Sequence, residues 1–218
     1  MNKPYYETKL GKLYHGDCLE IMPELEPVDL VLTDPPYGIT KNNWDIIPTI
    51  KSFNEIFKIS KKQLIFGGHF MDLPKKDGWL IWDKMPFLKT TNQVELIWTS
   101  FLKKNKLISF RYAGNVIGDS KKPKYKREKA FFTSEKPFEF IELLIKKYSI
   151  INELILDSYL GTGTTAVACE HLKRRWIGID IEEKHCEMAA KRIEENLTIP
   201  ERIERCEKGI TKKTTLLF

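Results

Sequence analysis

Four short apolar runs constrain this chain most: VDLVL at 28–32, QLIF at 63–66, LIL at 154–156 and WIGI at 176–179. Each is too short for a stable helix and suits a strand buried on both faces. Between them lie segments with helical spacing, such as Ile50, Phe53, Ile56 and Phe57, or Phe138, Ile141, Leu144 and Ile145. KLYHGD, GWLIWDK, QVELIWTSF and LISFRYA read as further strands, and TTAVACEHLK and EEKHCEMAAKRIEENL as helices. Strands alternating with helices imply an α/β fold, a mostly parallel sheet with helices on both faces. At 218 residues the chain is expected to form one domain, 1–218, with room for a small insertion.

Two of these runs end unusually. VDLVL leads into TDPPYG, and neither Pro35 nor Pro36 can continue a central ladder, because proline has no N–H and a fixed φ. They stop the strand and hold a carbonyl stiffly beside the Asp34 carboxylate and the Tyr37 ring. LILDSYLGTGTT ends a strand in Asp157 and passes through Gly161, Gly163 and Thr164 into a helix. Glycines at such a turn let the backbone approach a ligand closely. The spacing is GxG with neither the third glycine of a dinucleotide fingerprint nor the GK[ST] of a P-loop. A tight structural turn alone would account for it. However, RWIGID ends the next strand in Asp180, seventeen residues after Gly163, where an acid can accept hydrogen bonds from ribose hydroxyls. A ribose acid without a phosphate signature points to a nucleoside cofactor that lacks a pyrophosphate, and S-adenosylmethionine fits.

Charge is local rather than global. The chain carries +6, but between 101 and 130 eight lysines and two arginines face only Asp119 and Glu128, a local +8. Such a patch is the footprint of a phosphate-rich partner, although a solvated loop has the same composition. Residues 103–130 are the least regular part of the chain and are expected to form a small basic insertion. The four cysteines show no CxxC pairing and read as free thiols with no metal site. No apolar run approaches the ~20 residues that span a bilayer. MNKPYYETKL lacks the apolar stretch of a signal peptide, so a cytoplasmic protein away from membranes is expected.

TDPPYG, then SEKPFEF, then DSYLGTGTT occur in an order that resembles the circularly permuted (β-group) amino-DNA methyltransferases, over roughly residues 12–196. The resemblance implies a circularly permuted, Rossmann-like methyltransferase fold, with the catalytic motif first, the target-recognition region next and the cofactor motif last. Asp34, Pro35, Pro36 and Tyr37 match the catalytic tetrapeptide. Asp157, Tyr159, Gly161, Gly163 and Thr164 match the cofactor loop, with Tyr159 where phenylalanine is commoner. Asp180 matches the ribose acid, Asp17 an acid bordering the cofactor's adenine, and Lys136 with Pro137 the pair before the helix that leads to the cofactor strand. His185 stands where the family often has tyrosine, a position read as packing.

The implied chemistry explains the broken strand. An exocyclic amine is a poor nucleophile, because its lone pair is delocalised into the ring. Asp34 and the Pro35 carbonyl would accept its two hydrogens, Tyr37 would stack on the flipped base, and transfer would be a direct in-line displacement. In double-stranded DNA, Arg111, Lys121, Lys122, Lys124, Lys126 and Arg127 are the candidate contacts, with Tyr112 and Tyr125 for bases and Trp44 over the pocket. An acid opening the tetrapeptide goes mostly with adenine N6. Cytosine N4, RNA, and a catalytically idle DNA-binding subunit are the alternatives. Homodimers are common in the resembling group, and this protein is expected to work either alone or with a separately encoded restriction endonuclease.

Overall fold

The computed structural model describes residues 3–85, 93–113, 116–118 and 135–197. Among these residues the main sheet has nine strands. In chain order these are β1 (Tyr6–Glu7), β2 (Gly11–His15), β3 (Leu30–Thr33), β4 (Gln63–Phe66), β5 (Trp79–Asp83), β6 (Val94–Thr99), β7 (Lys106–Ser109), β10 (Leu154–Asp157) and β11 (Arg175–Asp180). A separate antiparallel pair, β8 (Arg111–Ala113) and β9 (Val116–Gly118), comes after β7. The helices are α1 (Cys18–Ile21), α2 (Ile50–Ile59), α3 (Phe138–Tyr148), α4 (Thr164–Leu172) and α5 (Glu183–Asn196).

The strand order is β1-β2-β11-β10-β3-β4-β6-β5-β7. The five strands from β2 to β4 are mutually parallel, β6 runs antiparallel to both β4 and β5, and β7 is parallel to β5. The expected mostly parallel α/β sheet is therefore present. Residues 106–109, within the segment expected as the basic insertion, form the edge strand of this sheet, their backbone completing the ladder of β5.

Alternation along each strand divides the core into two layers. Leu30 and Leu32 of β3 join one cluster with Phe140, Ile141 and Leu144 of α3 and with α4 and α5. Val31, with Ile65 and Leu156 of the neighbouring strands, joins the other with Ile21, Phe53 and Ile56 of α1 and α2. Both faces are thus covered, which explains why the strands read as unbroken apolar runs.

One topological feature positions the site. From β3 the chain crosses through α2 to β4 on one side, and from β10 it crosses through α4 to β11 on the other. β3 and β10 are adjacent and parallel, with Leu30 opposite Ile155 and Val31 opposite Leu156. Their connections therefore diverge at the carboxyl ends, opening the crevice in which α/β sheets hold ligands.

Candidate active site

Both unusual motifs open onto that crevice. On the β10 side, Asp157 is buried and its carboxylate accepts from the hydroxyls of Thr33 (2.8 Å) and Thr165 (2.7 Å) and from the Tyr159 N–H (3.2 Å). Burial pushes its carboxyl up to about 6 against those hydrogen bonds. The loop beyond it uses its glycines in two ways. Gly161 has φ +56° and faces open space, with no atom within 4 Å of where a Cβ would stand. Gly163 has φ +87°, and a Cβ there would come within 2.9 Å of the Ala189 methyl, so this glycine lets α4 and α5 close together.

Asp180 edges the open space. Its Oδ2 accepts from the Gly161 N–H (2.7 Å), and its Oδ1 from the Glu182 N–H (2.9 Å), with His185 Nδ1 at 3.1 Å. His185, expected only to pack, thus helps to orient the acid. Glu135 and Arg192 brace the loop from outside: Thr164 donates to Glu135 at 2.7 Å, and Arg192 bonds Glu135, Thr162 and Thr164. An open backbone cradle beside a fixed carboxylate, with no lysine in it, suits a ribose-bearing ligand without a polyphosphate.

On the β3 side, Asp34 lies just past Thr33. Its Oδ1 is 2.5 Å from the Tyr37 hydroxyl and its Oδ2 is 2.6 Å from Lys136 Nζ. Lys136 was expected on the cofactor side, but the turn before α3 carries it over the Phe66 ring to the acceptor side. Glu95 of β6 completes the cluster, with Oε1 3.0 Å from the Tyr37 hydroxyl and 3.2 Å from Lys136 Nζ, and Oε2 2.6 Å from Lys84 Nζ. Burial raises the Asp34 carboxyl above the usual range, outweighing the pull of Lys136, and Glu95 adds to the rise. Glu95 is buried too, yet Lys136 and Lys84 together hold it low. Asp34 is therefore the first of the two to take up a proton as pH falls. Lys136, between two carboxylates, keeps its charge despite burial.

Tyr37 is set from three directions. Its ring stacks on exposed Phe70 (5.4 Å between centroids, 23° between planes) and lies against Gly67, where a Cβ would sit 2.3 Å from Tyr37 Cε1. The loop after it is closed by buried Asp45, whose carboxylate accepts from the N–H groups of Tyr37 (2.9 Å), Gly38 (2.8 Å) and Thr40 (2.6 Å). Among the described residues none donates to the Pro35 carbonyl.

Comparison with known proteins covers most of the chain. A family model for N6/N4 methyltransferases, described as DNA methylase, matches residues 89–191. Two curated relatives match almost end to end. The type II methyltransferase M2.LlaDCHI of Lactococcus lactis subsp. cremoris is 25% identical over 91% of this chain and 94% of its own length. M2.DpnII of Streptococcus pneumoniae is 26% identical over 89% and 93%. The chain is similar, over most of its length, to DNA methyltransferases of the N6/N4 type.

Solved structures share the fold. That of M1.HpyAVI in complex with SAM has a TM-score of 0.58 at 24% identity, covering 84% of this chain and 100% of that one. The PvuII DNA methyltransferase, described as cytosine-N4-specific, has a TM-score of 0.60 at 18% identity, covering 96% and 95%.

The crevice thus brings together Asp34, Tyr37 and Lys136 on the β3 side and Asp157, Gly161, Gly163, Thr164 and Asp180 on the β10 side. Asp17 caps α1 through the Leu19 N–H at 2.8 Å, and half-buried Tyr159 has its hydroxyl 3.6 Å from Cys18 Sγ. Trp44 is exposed. Lys121, Lys122, Lys124, Tyr125, Lys126 and Arg127 lie outside the described residues, while Arg111 opens β8. Sequence reasoning missed Glu95, Lys84, Asp45, Phe70, Glu135 and Arg192. Of these only Glu95 left a signal, as an acid within an otherwise apolar strand. No described helix is long and apolar enough to cross a membrane.

Proposed function

We propose that this methyltransferase transfers a methyl group from S-adenosylmethionine to the N6 amine of adenine in double-stranded DNA. The observation that carries the reading is the adjacency of β3 and β10, which end side by side in an acceptor carboxylate and a glycine cradle. Gly161 and the loop to Thr164 would hold the cofactor, Asp180 would take its ribose hydroxyls, and Asp17 would border its adenine. When bound, the cofactor supplies an electrophilic methyl on a sulfonium, a leaving group that needs no protonation.

The chain's own residues have to prepare the amine. Asp34 accepts one N–H and the Pro35 carbonyl the other, which localises the lone pair and aims it across the crevice. Held in this way, the lone pair would face the methyl that the bound cofactor supplies, and the sulfonium would leave with the bonding pair. The amine then loses one proton, and the Asp34 carboxylate is the nearest base. Tyr37 offers its ring to the flipped base, which must leave the duplex stack to reach this depth, at a cost of a few kcal/mol. The basic segment at 121–127 would hold the flanking phosphates. The tetrapeptide's opening acid favours adenine over cytosine. The fold is shared with a protein described as cytosine-N4-specific and does not choose between the bases.

The test is to incubate the protein with labelled S-adenosylmethionine and mixed-sequence duplex DNA, then digest the DNA and identify the labelled nucleoside by mass. The expected product is N6-methyldeoxyadenosine. Label on cytosine would keep the chemistry and overturn the choice of base. Label on neither would overturn the reading.

A further inference from the structure

Both oxygens of Asp34, the acceptor for an amine hydrogen, already hold a short hydrogen bond, so an arriving N–H has to share an oxygen with a stronger donor or displace it. Oδ1 meets the Tyr37 hydroxyl at 2.5 Å and Oδ2 meets the Lys136 ammonium at 2.6 Å. The ammonium is charged and its side chain only 12% exposed. A neutral amine N–H is the weaker donor, and a buried lysine displaced without a new partner would leave an uncompensated charge. The structure holds such a partner. Glu95 Oε1 is already 3.2 Å from Lys136 Nζ, and Lys84 holds the other Glu95 oxygen at 2.6 Å. Glu95 is the closed anion of the pair, its side chain 11% exposed against 30% for Asp34. Two carboxylates and two ammonium groups therefore share one cluster, and one ammonium touches both carboxylates.

We propose that Lys136 is a latch on Asp34 and that Glu95 is its second seat: the target amine enters by moving the ammonium from Asp34 onto Glu95. The proposal rests on reading Asp34 as the amine acceptor. No covalent bond changes, and the protons stay on Nζ. Lys84 keeps Glu95 from following Lys136 back toward Asp34, so the seat stays in place while the latch moves. Phe66, under the lysine in the present arrangement, is buried core and stays where it is. Before a base arrives, the latch keeps Asp34 paired in a half-buried site. It also discriminates, because a base with a carbonyl in place of the amine has no hydrogen to exchange for the ammonium. Glu95 and Lys84 are thus positioning residues, acting on the acceptor through Lys136.

The experiment compares steady-state methyl transfer to duplex DNA, and S-adenosylmethionine affinity, for the wild type, Glu95→Gln, and the double variant Glu95→Gln/Lys136→Met. Glu95→Gln keeps the shape but removes the charge of the second seat. The expected result is at least a tenfold fall in kcat, with cofactor affinity within about twofold of wild type. The double variant has no ammonium left to displace and is expected to recover most of that loss. A Glu95→Gln variant as fast as wild type overturns the latch, as does a double variant no faster than the single one, which is what a merely structural Glu95 gives. A wild type that methylates no amine in DNA overturns the reading of Asp34, and the latch with it. A wild type that transfers while the double variant fails to recover overturns the latch alone.

Discussion

The Thr33 hydroxyl donates to Asp157 Oδ1 at 2.8 Å and so joins the end of the acceptor strand to the start of the glycine loop. Thr33 directly precedes Asp34, and Asp157 begins the turn that carries Gly161. Both halves of the site therefore hang from one buried carboxylate.

That carboxylate has a measurable signature. Its carboxyl is raised to about 6 by burial, against about 3.9 in an unfolded chain. Between those values the folded state binds a proton that the unfolded state does not, so the contribution of Asp157 to stability rises as pH falls from 7 to 4. Asp157→Asn should remove this contribution, up to about 3 kcal/mol across the window. Denaturant unfolding of both proteins at several pH values checks it, and parallel pH curves would contradict it.

The acceptor should titrate in the activity. Protonated Asp34 is a weaker acceptor for the amine and cannot take up its proton, and it protonates before Glu95, so methyl transfer should fall on the acid side with a single group. Lys136→Met leaves Asp34 beside Glu95 with only Lys84 opposing their charges, and Tyr37 neutral. Its acid limb should move to higher pH. A pH profile of kcat for both proteins shows whether it does.

Asp45 closes the loop behind Tyr37 through three backbone N–H groups, which outweigh burial and hold its carboxyl below the usual range. Asp45→Ala leaves those donors without their acceptor and should cost about 2–3 kcal/mol of stability. It should also raise the KM for DNA more than that for the cofactor. Thermal unfolding and two-substrate kinetics measure the two effects separately.

Gly67 gives way to the Tyr37 ring. Gly67→Ala places a methyl where Tyr37 Cε1 stands, at a φ of +63° that already strains alanine. The ring must move, and the hydroxyl leaves Asp34 and Glu95. We expect kcat to fall by about a hundredfold, a misplacement effect, with cofactor affinity nearly unchanged.

The three strand-end acids were legible because each closes a short apolar run, and a carboxylate there has no role in the core. The cradle was legible because GxG precedes a helix. What could not be read were pairings across the sheet. Glu95 meets Tyr37 and Lys136 only because β6 pairs antiparallel with β4, and no periodicity announces that register. Lys136 was read to the wrong side for the same reason: a position before a helix says where the backbone is, not which of two strand ends the side chain reaches. Glu135 precedes α3 and Arg192 lies on α5, 57 positions away, and they meet because α3 and α5 both pack against α4.

The lysines of the basic segment are assigned the grip on DNA. Replacing Lys121, Lys122 and Lys124 together by Ala should weaken binding across all sequences alike and flatten its salt dependence, by about one slope unit per lost phosphate contact. Binding titrations at several salt concentrations test this, and an unchanged slope would move the phosphate contacts elsewhere.

The proposed mechanism gives Asp34 the amine and the β10 side the cofactor. The decisive measurement takes Asp34→Ala and records methyl transfer to DNA and S-adenosylmethionine affinity in the same preparation. Transfer should fall by at least a hundredfold, with cofactor affinity within about threefold of wild type. Transfer near the wild-type rate, or a loss of cofactor binding equal to the loss of transfer, would show that Asp34 does not have this role.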